Sequence, residues 1–211
     1  MLSSLPNALT LTRIAVIPII VGLFFVPAPW AAWAALGLFV LAAVTDYFDG
    51  QLARRLNIVS AFGKLLDPIA DKMLVTAVLF MIVATDRIQG AAVVAAVIIL
   101  LREILISGLR EYMASRSAEG LPVTPLAKWK TTVQMGALAL LILGDAGPAG
   151  VPVATVGIVG LWLAALLTVV TGWDYVARGL HVLREERRGA QAGASDRDAA
   201  KRDAAGRPAG T

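Results

Sequence analysis

The amino-acid sequence predicts an all-α, polytopic integral membrane protein with six transmembrane helices. Of its 211 residues, 58% are hydrophobic and only 16% are charged, against about 25% charged residues in an ordinary soluble domain. The mean hydropathy is +0.74. Basic residues are also distributed unevenly among the predicted loops, as expected of a chain with one fixed orientation in a bilayer.

Six apolar stretches are long enough to cross a hydrocarbon core, which takes about 20 helical residues. Glycines, prolines and short polar runs separate them. The predicted spans lie near residues 9–26, 31–55, 62–84, 89–115, 126–144 and 151–178. Together they predict one transmembrane domain over residues 1–180. Residues 181–211 have little apolar content beyond alanine and are predicted to form a disordered cytoplasmic tail.

The distribution of basic residues predicts the orientation of the spans. Lysines and arginines gather in the loops after spans 2 and 4 and in the tail, whereas the three opposite loops carry only Arg87. Because cytoplasmic loops are enriched in basic residues, both termini should face the cytoplasm, in the inner (cytoplasmic) membrane. The net charge of +4 is assigned to anionic lipid head groups and not to nucleic acid.

Four aspartates stand close together in this apolar sequence: Asp46, Asp49, Asp67 and Asp71. An unpaired carboxylate in an apolar setting costs several kcal/mol, so the cluster needs a compensating charge. Residues three or four apart share a helical face. The first two aspartates should therefore project from the cytoplasmic end of span 2, and the last two from the start of span 3. A short connection near 55–61 allows the two pairs to converge.

Two hard divalent cations, Mg²⁺ or Mn²⁺, would compensate these carboxylates through oxygen ligands. Cysteine is absent from the sequence, which excludes thiolate metal sites and disulfides. A pair of such ions can polarise a pyrophosphate for in-line displacement. Gly50 and Gly63 then mark places where a nucleotide approaches the backbone closely, with Ala53 small for the same reason and Arg54 neutralising phosphate. The alternative, ordinary loop charges with packing glycines, explains single positions but not the whole pattern.

The string D-x2-D-G-x2-A-R-x8-G-x3-D-x3-D at residues 46–71 resembles the signature of the CDP-alcohol phosphotransferases. Three further stretches resemble the branch of that family that forms phosphatidylglycerophosphate: P-N-A-L-T-L-T-R-I at 6–14, R-E-I-L-I-S-G-L-R-E at 102–111 and A-K-W-K-T at 127–131. The resemblance implies the CDP-alcohol phosphotransferase fold and a membrane enzyme, commonly a homodimer. The implied reaction joins CDP-diacylglycerol to sn-glycerol 3-phosphate and releases CMP.

The resemblance also implies roles for individual residues. Asp46, Asp49 and Asp67 would hold two divalent cations. Asp71 would be the general base toward the acceptor hydroxyl, and it too stands as a possible metal ligand. The CDP site is assigned to the first three aspartates and to four residues around them: Gly50, Ala53, Arg54 and Gly63.

An anionic acceptor requires basic residues nearby, and Arg110, Lys128 and Lys130 stand at the predicted cytoplasmic junction of spans 4 and 5. The resemblance supports all three as contacts of the acceptor phosphate, although basic residues belong at cytoplasmic span ends in any case. Lys128 and Lys130 would converge only if span 5 began irregularly, because residues two apart do not share a helical face. Arg102 and Glu103 lie deeper in span 4, where an internal ion pair and a role in binding both stand open.

Asn7, Thr10 and Arg13 match the family's N-x2-T-x2-R opening and line one face of a helix. They would reach the nucleotide or the acceptor phosphate. The competing interpretation is a plain helix cap at Asn7 and a basic membrane anchor at Arg13.

Two other functions fit parts of the sequence. The same chemistry with inositol phosphate, serine or phosphatidylglycerol as acceptor would use the same aspartates. A cation-coupled transporter would also need intramembrane carboxylates, but transporter sites lie near the bilayer midplane at a repeat interface. These aspartates lie at span ends in one unrepeated cluster, which argues against transport.

Overall fold

The computed structural model describes residues 5–56, 61–116, 125–173 and 175–177, and all regular structure in these ranges is helical. The helices are α1 (Leu5–Phe24), α2 (Pro29–Leu56), α3 (Ala61–Ala84), α4 (Ala91–Arg116), α5 (Pro125–Leu143) and α6 (Val153–Ala177), with a short 3-10 turn at Gly144–Ala146. The all-α prediction is confirmed for the part of the chain that the structure describes. Each predicted span coincides with one helix, and the ends agree to within about four residues, the usual uncertainty of a predicted boundary. The predicted tail, residues 181–211, lies outside the described residues.

Two of the described helices are long and apolar enough to cross a membrane, over Ala91–Met113 and Val153–Ala177. Two shorter apolar segments lie at Thr10–Phe24 and Pro29–Thr45. These helices are consistent with a membrane protein, and the number of six crossings stays a prediction.

The chain divides into two compact units. The first comprises Met1–Ile104 and Val123–Val169, and the second comprises Leu105–Pro122 and Val170–Thr211. In the first unit α1 packs against α2 and α3, and α5 packs against the same two helices. One apolar core joins these helices with the first-unit parts of α4 and α6. In the second unit the described side chains of Ile106, Met113 and Tyr175 are buried.

The apolar stripe on α3 fixes the rotation of the helix that carries Asp71. Ala70, Leu74, Val78 and Ile82 recur every four residues and are all buried, as expected for the core-facing side of a helix. Asp71 follows the first of these residues and is exposed. The packing of α3 therefore presents Asp71 at the edge of the core and not inside it.

A tight cap ends α3. The N–H of Arg87 donates to the carbonyl of Ile82 at 3.0 Å, and the N–H of Asp86 donates to the carbonyl of Val83 at 3.1 Å. This is the pairing of a Schellman motif, and Asp86 takes the left-handed position in it with φ of 56°. The cap places the Arg87 side chain at a fixed point beyond the helix end.

Helix α6 approaches α5 closely at Gly157. A Cβ added there would lie 2.9 Å from Cγ of Leu141 and 3.3 Å from Cβ of Leu140. Gly160, one turn later, has similar surroundings, because its added Cβ would lie 3.1 Å from Cβ of Ala137. Small residues of this kind let two helix backbones approach each other.

Candidate active site

The backbone places the four predicted aspartates on two helices that residues 57–60 connect. Asp46 and Asp49 lie toward the end of α2, and Asp67 and Asp71 lie in the first half of α3. At a rise of about 1.5 Å per residue, Asp49 and Asp67 each stand roughly 10 Å along their helix axis from this connection. The spacing within each pair puts both members on one face of their helix.

Most of the predicted metal and CDP positions have side-chain surroundings outside the described part of the chain: Asp46, Asp49, Gly50, Ala53, Arg54, Gly63 and Asp67. Convergence of the four carboxylates and the CDP site therefore stay predictions. Among the side chains that the structure describes, no group of three or more His, Asp or Glu residues could hold a metal ion. The chemistry of the predicted donor set, carboxylate oxygens without thiolates, fits Mg²⁺ or Mn²⁺.

Lys130 is buried on α5 and forms an ion pair with α4. Its side-chain Nζ contacts Oε1 of Glu103, and Lys130 as a whole is only 3% exposed. Nη1 of Arg102 lies 3.8 Å from the same carboxylate oxygen. Glu103 therefore forms an internal ion pair, which is one of the two interpretations open from the sequence. Its partner, Lys130, is one of the residues predicted to bind the acceptor phosphate.

Asp71 and Lys130 belong to the same electrostatic environment. The carboxylate of Asp71 on α3 lies close enough to interact with the Lys130 ammonium on α5. The structure therefore brings the predicted general base and one predicted phosphate contact toward the same region of the first unit.

The other two basic candidates are placed differently. Helix α5 is regular from Pro125 onward, and the carbonyl of Lys128 accepts a hydrogen bond from Thr132 Oγ1 at 3.1 Å, as in an ordinary helix. The irregular start that would let Lys128 and Lys130 converge is absent, and Lys128 is exposed on another face. Arg110 is an exposed residue of the second unit.

Near the N-terminus, Thr10 and Arg13 are both buried on α1. This burial argues against Arg13 as a surface anchor, because a basic anchor keeps its charged end in water or among head groups. The side chain of Asn7 lies outside the described part of the chain. The role of these three residues at a substrate stays a prediction.

Sequence reasoning alone missed Gln134. This residue follows Lys130 by one helical turn on the same face of α5, is 2% exposed, and has a buried Oε1 that accepts no hydrogen bond from the described residues. Buried polar atoms of this kind are uncommon in proteins. The sequence offers the spacing of four between Lys130 and Gln134, which does not distinguish a buried glutamine from an exposed one.

Comparison with known proteins identifies the family to which this arrangement belongs. The sequence profile of the CDP-alcohol phosphatidyltransferases matches residues 3–170. The chain belongs to this family. The resemblance seen in the aspartate string is therefore confirmed, and the chain belongs to a family of transferases.

Several members of this family are similar to the chain over most of its length. A protein of Rickettsia bellii named CDP-diacylglycerol--glycerol-3-phosphate 3-phosphatidyltransferase is 46% identical over 172 residues, which cover 82% of this chain and 93% of the relative. A protein of the same name from Cereibacter sphaeroides is 40% identical, with 87% of this chain and 99% of the relative covered. A cardiolipin synthase (CMP-forming) of Oryza sativa is 38% identical, with 83% of this chain and 56% of the relative covered.

Proposed function

We propose that this protein transfers the phosphatidyl group of CDP-diacylglycerol to sn-glycerol 3-phosphate, giving phosphatidylglycerophosphate and CMP. The observation that carries the proposal is the similarity, at 40% to 46% identity and over nearly their whole length, to relatives named for that reaction. The buried Lys130 near Asp71 supports it. A phosphate monoester acceptor is bound by charge-assisted hydrogen bonds from a cation such as this lysine.

In the proposed reaction a glycerol hydroxyl oxygen attacks the phosphorus that carries diacylglycerol, and the bond from that phosphorus to the CMP oxygen breaks. Asp71 accepts the hydroxyl proton as general base. Its exposed position beside the buried stripe of α3 gives the carboxylate access to a soluble acceptor while the helix stays anchored in the core.

The donor groups on α2 and α3 are proposed to hold two divalent cations, Mg²⁺ or Mn²⁺, through Asp46, Asp49 and Asp67, with Asp71 in the same set. When bound, these ions supply positive charge that polarises the diphosphate and stabilises the departing CMP. The residues Gly50, Ala53, Arg54 and Gly63 are proposed to surround the CDP group together with the first three aspartates.

Lys130 is proposed as the main contact of the acceptor phosphate, because it is buried on α5, a helix that packs against the α3 helix that carries Asp71. Lys128 and Arg110 are proposed as additional contacts from the polar ends of α5 and α4. Asn7, Thr10 and Arg13 are possible contacts on α1, and Thr10 and Arg13 are already directed into the protein.

The proposed setting is the inner membrane, crossed six times, with the aspartates and both termini on the cytoplasmic side, and with a homodimer as the working form. The asymmetry of basic residues supports the orientation. The reaction would then take place at the lipid–water boundary, where a lipid donor and a soluble acceptor meet.

A second candidate function keeps the chemistry and changes the acceptor to phosphatidylglycerol, inositol phosphate or serine. The similarity to the Oryza sativa cardiolipin synthase favours phosphatidylglycerol among these. A cation-coupled transporter is a more distant alternative, and the position of the aspartates near the helix ends argues against it.

One assay separates these functions. Purified full-length protein is given CDP-diacylglycerol and Mg²⁺ or Mn²⁺, with labelled glycerol 3-phosphate, inositol phosphate, serine or phosphatidylglycerol in turn. We expect CMP release and a labelled lipid with glycerol 3-phosphate. Release with another acceptor alone would establish the second function, and release with none would remove the enzyme proposal.

A further inference from the structure

The Lys130–Glu103 ion pair borders buried residues of α4 and α5. On α4, Ile99 precedes Glu103 by one helical turn and is fully buried. On α5, the buried Gln134 and Leu138 follow Lys130 at successive turns. Glu103 itself retains 21% exposure of its side chain, so the pair is reachable from outside although its lysine is not on the surface.

A buried ammonium needs a counter-charge, and Glu103 supplies it here. Removing one partner of such a pair leaves the other charge uncompensated and is strongly unfavourable. The lysine has three N–H donors, and the contact with Glu103 Oε1 leaves others for a second acceptor. Nη1 of Arg102 lies 3.8 Å from the same oxygen, so a second cationic side chain stands beside the pair.

We infer that Glu103 is a positioning residue for the acceptor. It holds the Lys130 ammonium in place before glycerol 3-phosphate arrives, and the acceptor phosphate then binds the remaining donors of Lys130 together with Arg102. This inference rests on the proposed function and adds to it a residue that does not itself contact the reacting atoms. Two cationic side chains at one point can both donate charge-assisted hydrogen bonds to a phosphate monoester, which binds such donors more strongly than a neutral acceptor does.

The inference predicts which kinetic constant depends on Glu103. In Glu103→Gln the side chain keeps its shape and loses its charge, so Lys130 loses its counter-charge and the contact that orients it. We expect the KM for glycerol 3-phosphate to rise about tenfold or more, while kcat and the KM for CDP-diacylglycerol change by less than about threefold. Glu103→Asp restores the charge at a shorter reach and should recover part of the lost affinity.

The experiment uses full-length protein in detergent, with Asp86→Asn as the matched control. Asp86 is an exposed acid in the α3–α4 loop with φ of 56°, a conformation that asparagine also adopts. Asp86→Asn should leave kcat, the KM for glycerol 3-phosphate and the KM for CDP-diacylglycerol within about twofold of the wild-type values. Activity of the wild-type protein with glycerol 3-phosphate is measured first, because its absence would remove the proposed function and not this inference in particular.

Two results would overturn the inference once the wild-type protein is active. If Glu103→Gln lowers thermal stability and kcat with no selective change in the KM for glycerol 3-phosphate, Glu103 only joins α4 to α5. If that KM falls, the carboxylate competes with the acceptor and does not prepare its site. Should Glu103→Gln fail to purify as a folded protein, Glu103→Asp decides the matter, since a selective rise in the same KM is expected there too and an unchanged KM contradicts it.

Discussion

The guanidinium of Arg87 caps the end of α5, with Nη1 lying 3.1 Å from the carbonyl oxygen of Leu141 and also contacting that of Ile142. The last carbonyls of a helix have no partner within the helix, so a donor from another segment stabilises this end. Arg87 also stands over the ring of Phe24, with Cζ 4.8 Å from the ring centroid. One side chain thereby joins the end of α1, the α3–α4 loop and the end of α5.

Replacing Arg87 should destabilise the protein without changing its kinetic constants. Arg87→Met removes the charged hydrogen bonds and the cation–π contact, and we expect a loss of roughly 2–4 kcal/mol in unfolding free energy. Arg87→Lys keeps the charge but lacks the planar guanidinium, so its unfolding free energy should lie between those of the wild type and Arg87→Met. Denaturant-induced unfolding in detergent measures the unfolding free energy of both variants. Equal stability of Arg87→Met and the wild type would show that the cap contributes nothing.

The stabilisation by Arg87 should not vary with pH over the usual assay range. Burial lowers the pKa of the Arg87 guanidinium, and the Asp145 carboxylate acts in the opposite direction. A lowered pKa means that the unfolded state holds the proton more tightly, so stability would rise with pH only where the guanidinium itself begins to titrate. Between about pH 6 and 9 arginine stays protonated, and the difference between wild type and Arg87→Met should be constant. A difference that changes with pH in this range would contradict this expectation.

Packing of α6 against α5 should make Gly157 intolerant of a side chain. Gly157→Ala would place a Cβ 2.9 Å from Leu141 Cγ, and relieving such overpacking typically costs about 1–3 kcal/mol. Gly136→Ala on α5 is the matched control, because its added Cβ meets nothing within 4 Å. Alanine is the better helix former by about 1 kcal/mol, so this control should be neutral or stabilising. Thermal unfolding of both variants tests the pair, and similar melting temperatures would contradict the close approach.

The sequence was sufficient to predict the helices because their signals are local. Long apolar runs end at polar or glycine-containing segments, and α3 ends at Ala84, just before Asp86 with its φ of 56°. The predicted start of α1 near residue 9 was later than the observed Leu5. Apolar content marks where a bilayer span begins, whereas the helix itself already includes the preceding residues Leu5 to Ala8.

The contacts between helices could not be predicted in the same way. Glu103 and Lys130 are 27 positions apart in the sequence, and their meeting depends on which faces of α4 and α5 are turned toward each other. Sequence periodicity identifies which face of a helix is buried, but it does not identify the helix that packs against that face. Arg87 was visible only as an isolated basic residue in a loop, because its role requires three segments to meet at one point. Gln134 was missed because no pattern distinguishes a buried glutamine from an exposed one.

Asp71 should be required for turnover and not for binding of the donor. Asp71→Asn keeps the size of the side chain and removes its ability to accept a proton, so we expect kcat to fall about 100-fold or more. The KM for CDP-diacylglycerol and retention of Mg²⁺ or Mn²⁺ should change little, because Asp46, Asp49 and Asp67 remain and asparagine keeps an oxygen ligand at position 71. Kinetics with both substrates varied, together with metal titration, measure these effects. An active Asp71→Asn variant would show that another group accepts the proton.

The two lysines of α5 should differ in their effect on the acceptor. Lys130 is buried and held against Glu103, whereas Lys128 is exposed on another face of the same regular helix. Lys130→Met removes charged hydrogen bonds to the acceptor phosphate, and we expect the KM for glycerol 3-phosphate to rise roughly 10- to 100-fold. Lys128→Met loses a solvent-exposed additional contact and should raise that KM by less than about threefold. Steady-state kinetics at saturating CDP-diacylglycerol compare the two variants under identical conditions. Equal effects would mean that the acceptor responds to the overall positive charge of this region, and a larger effect for Lys128 would move the phosphate site to the exposed face of α5.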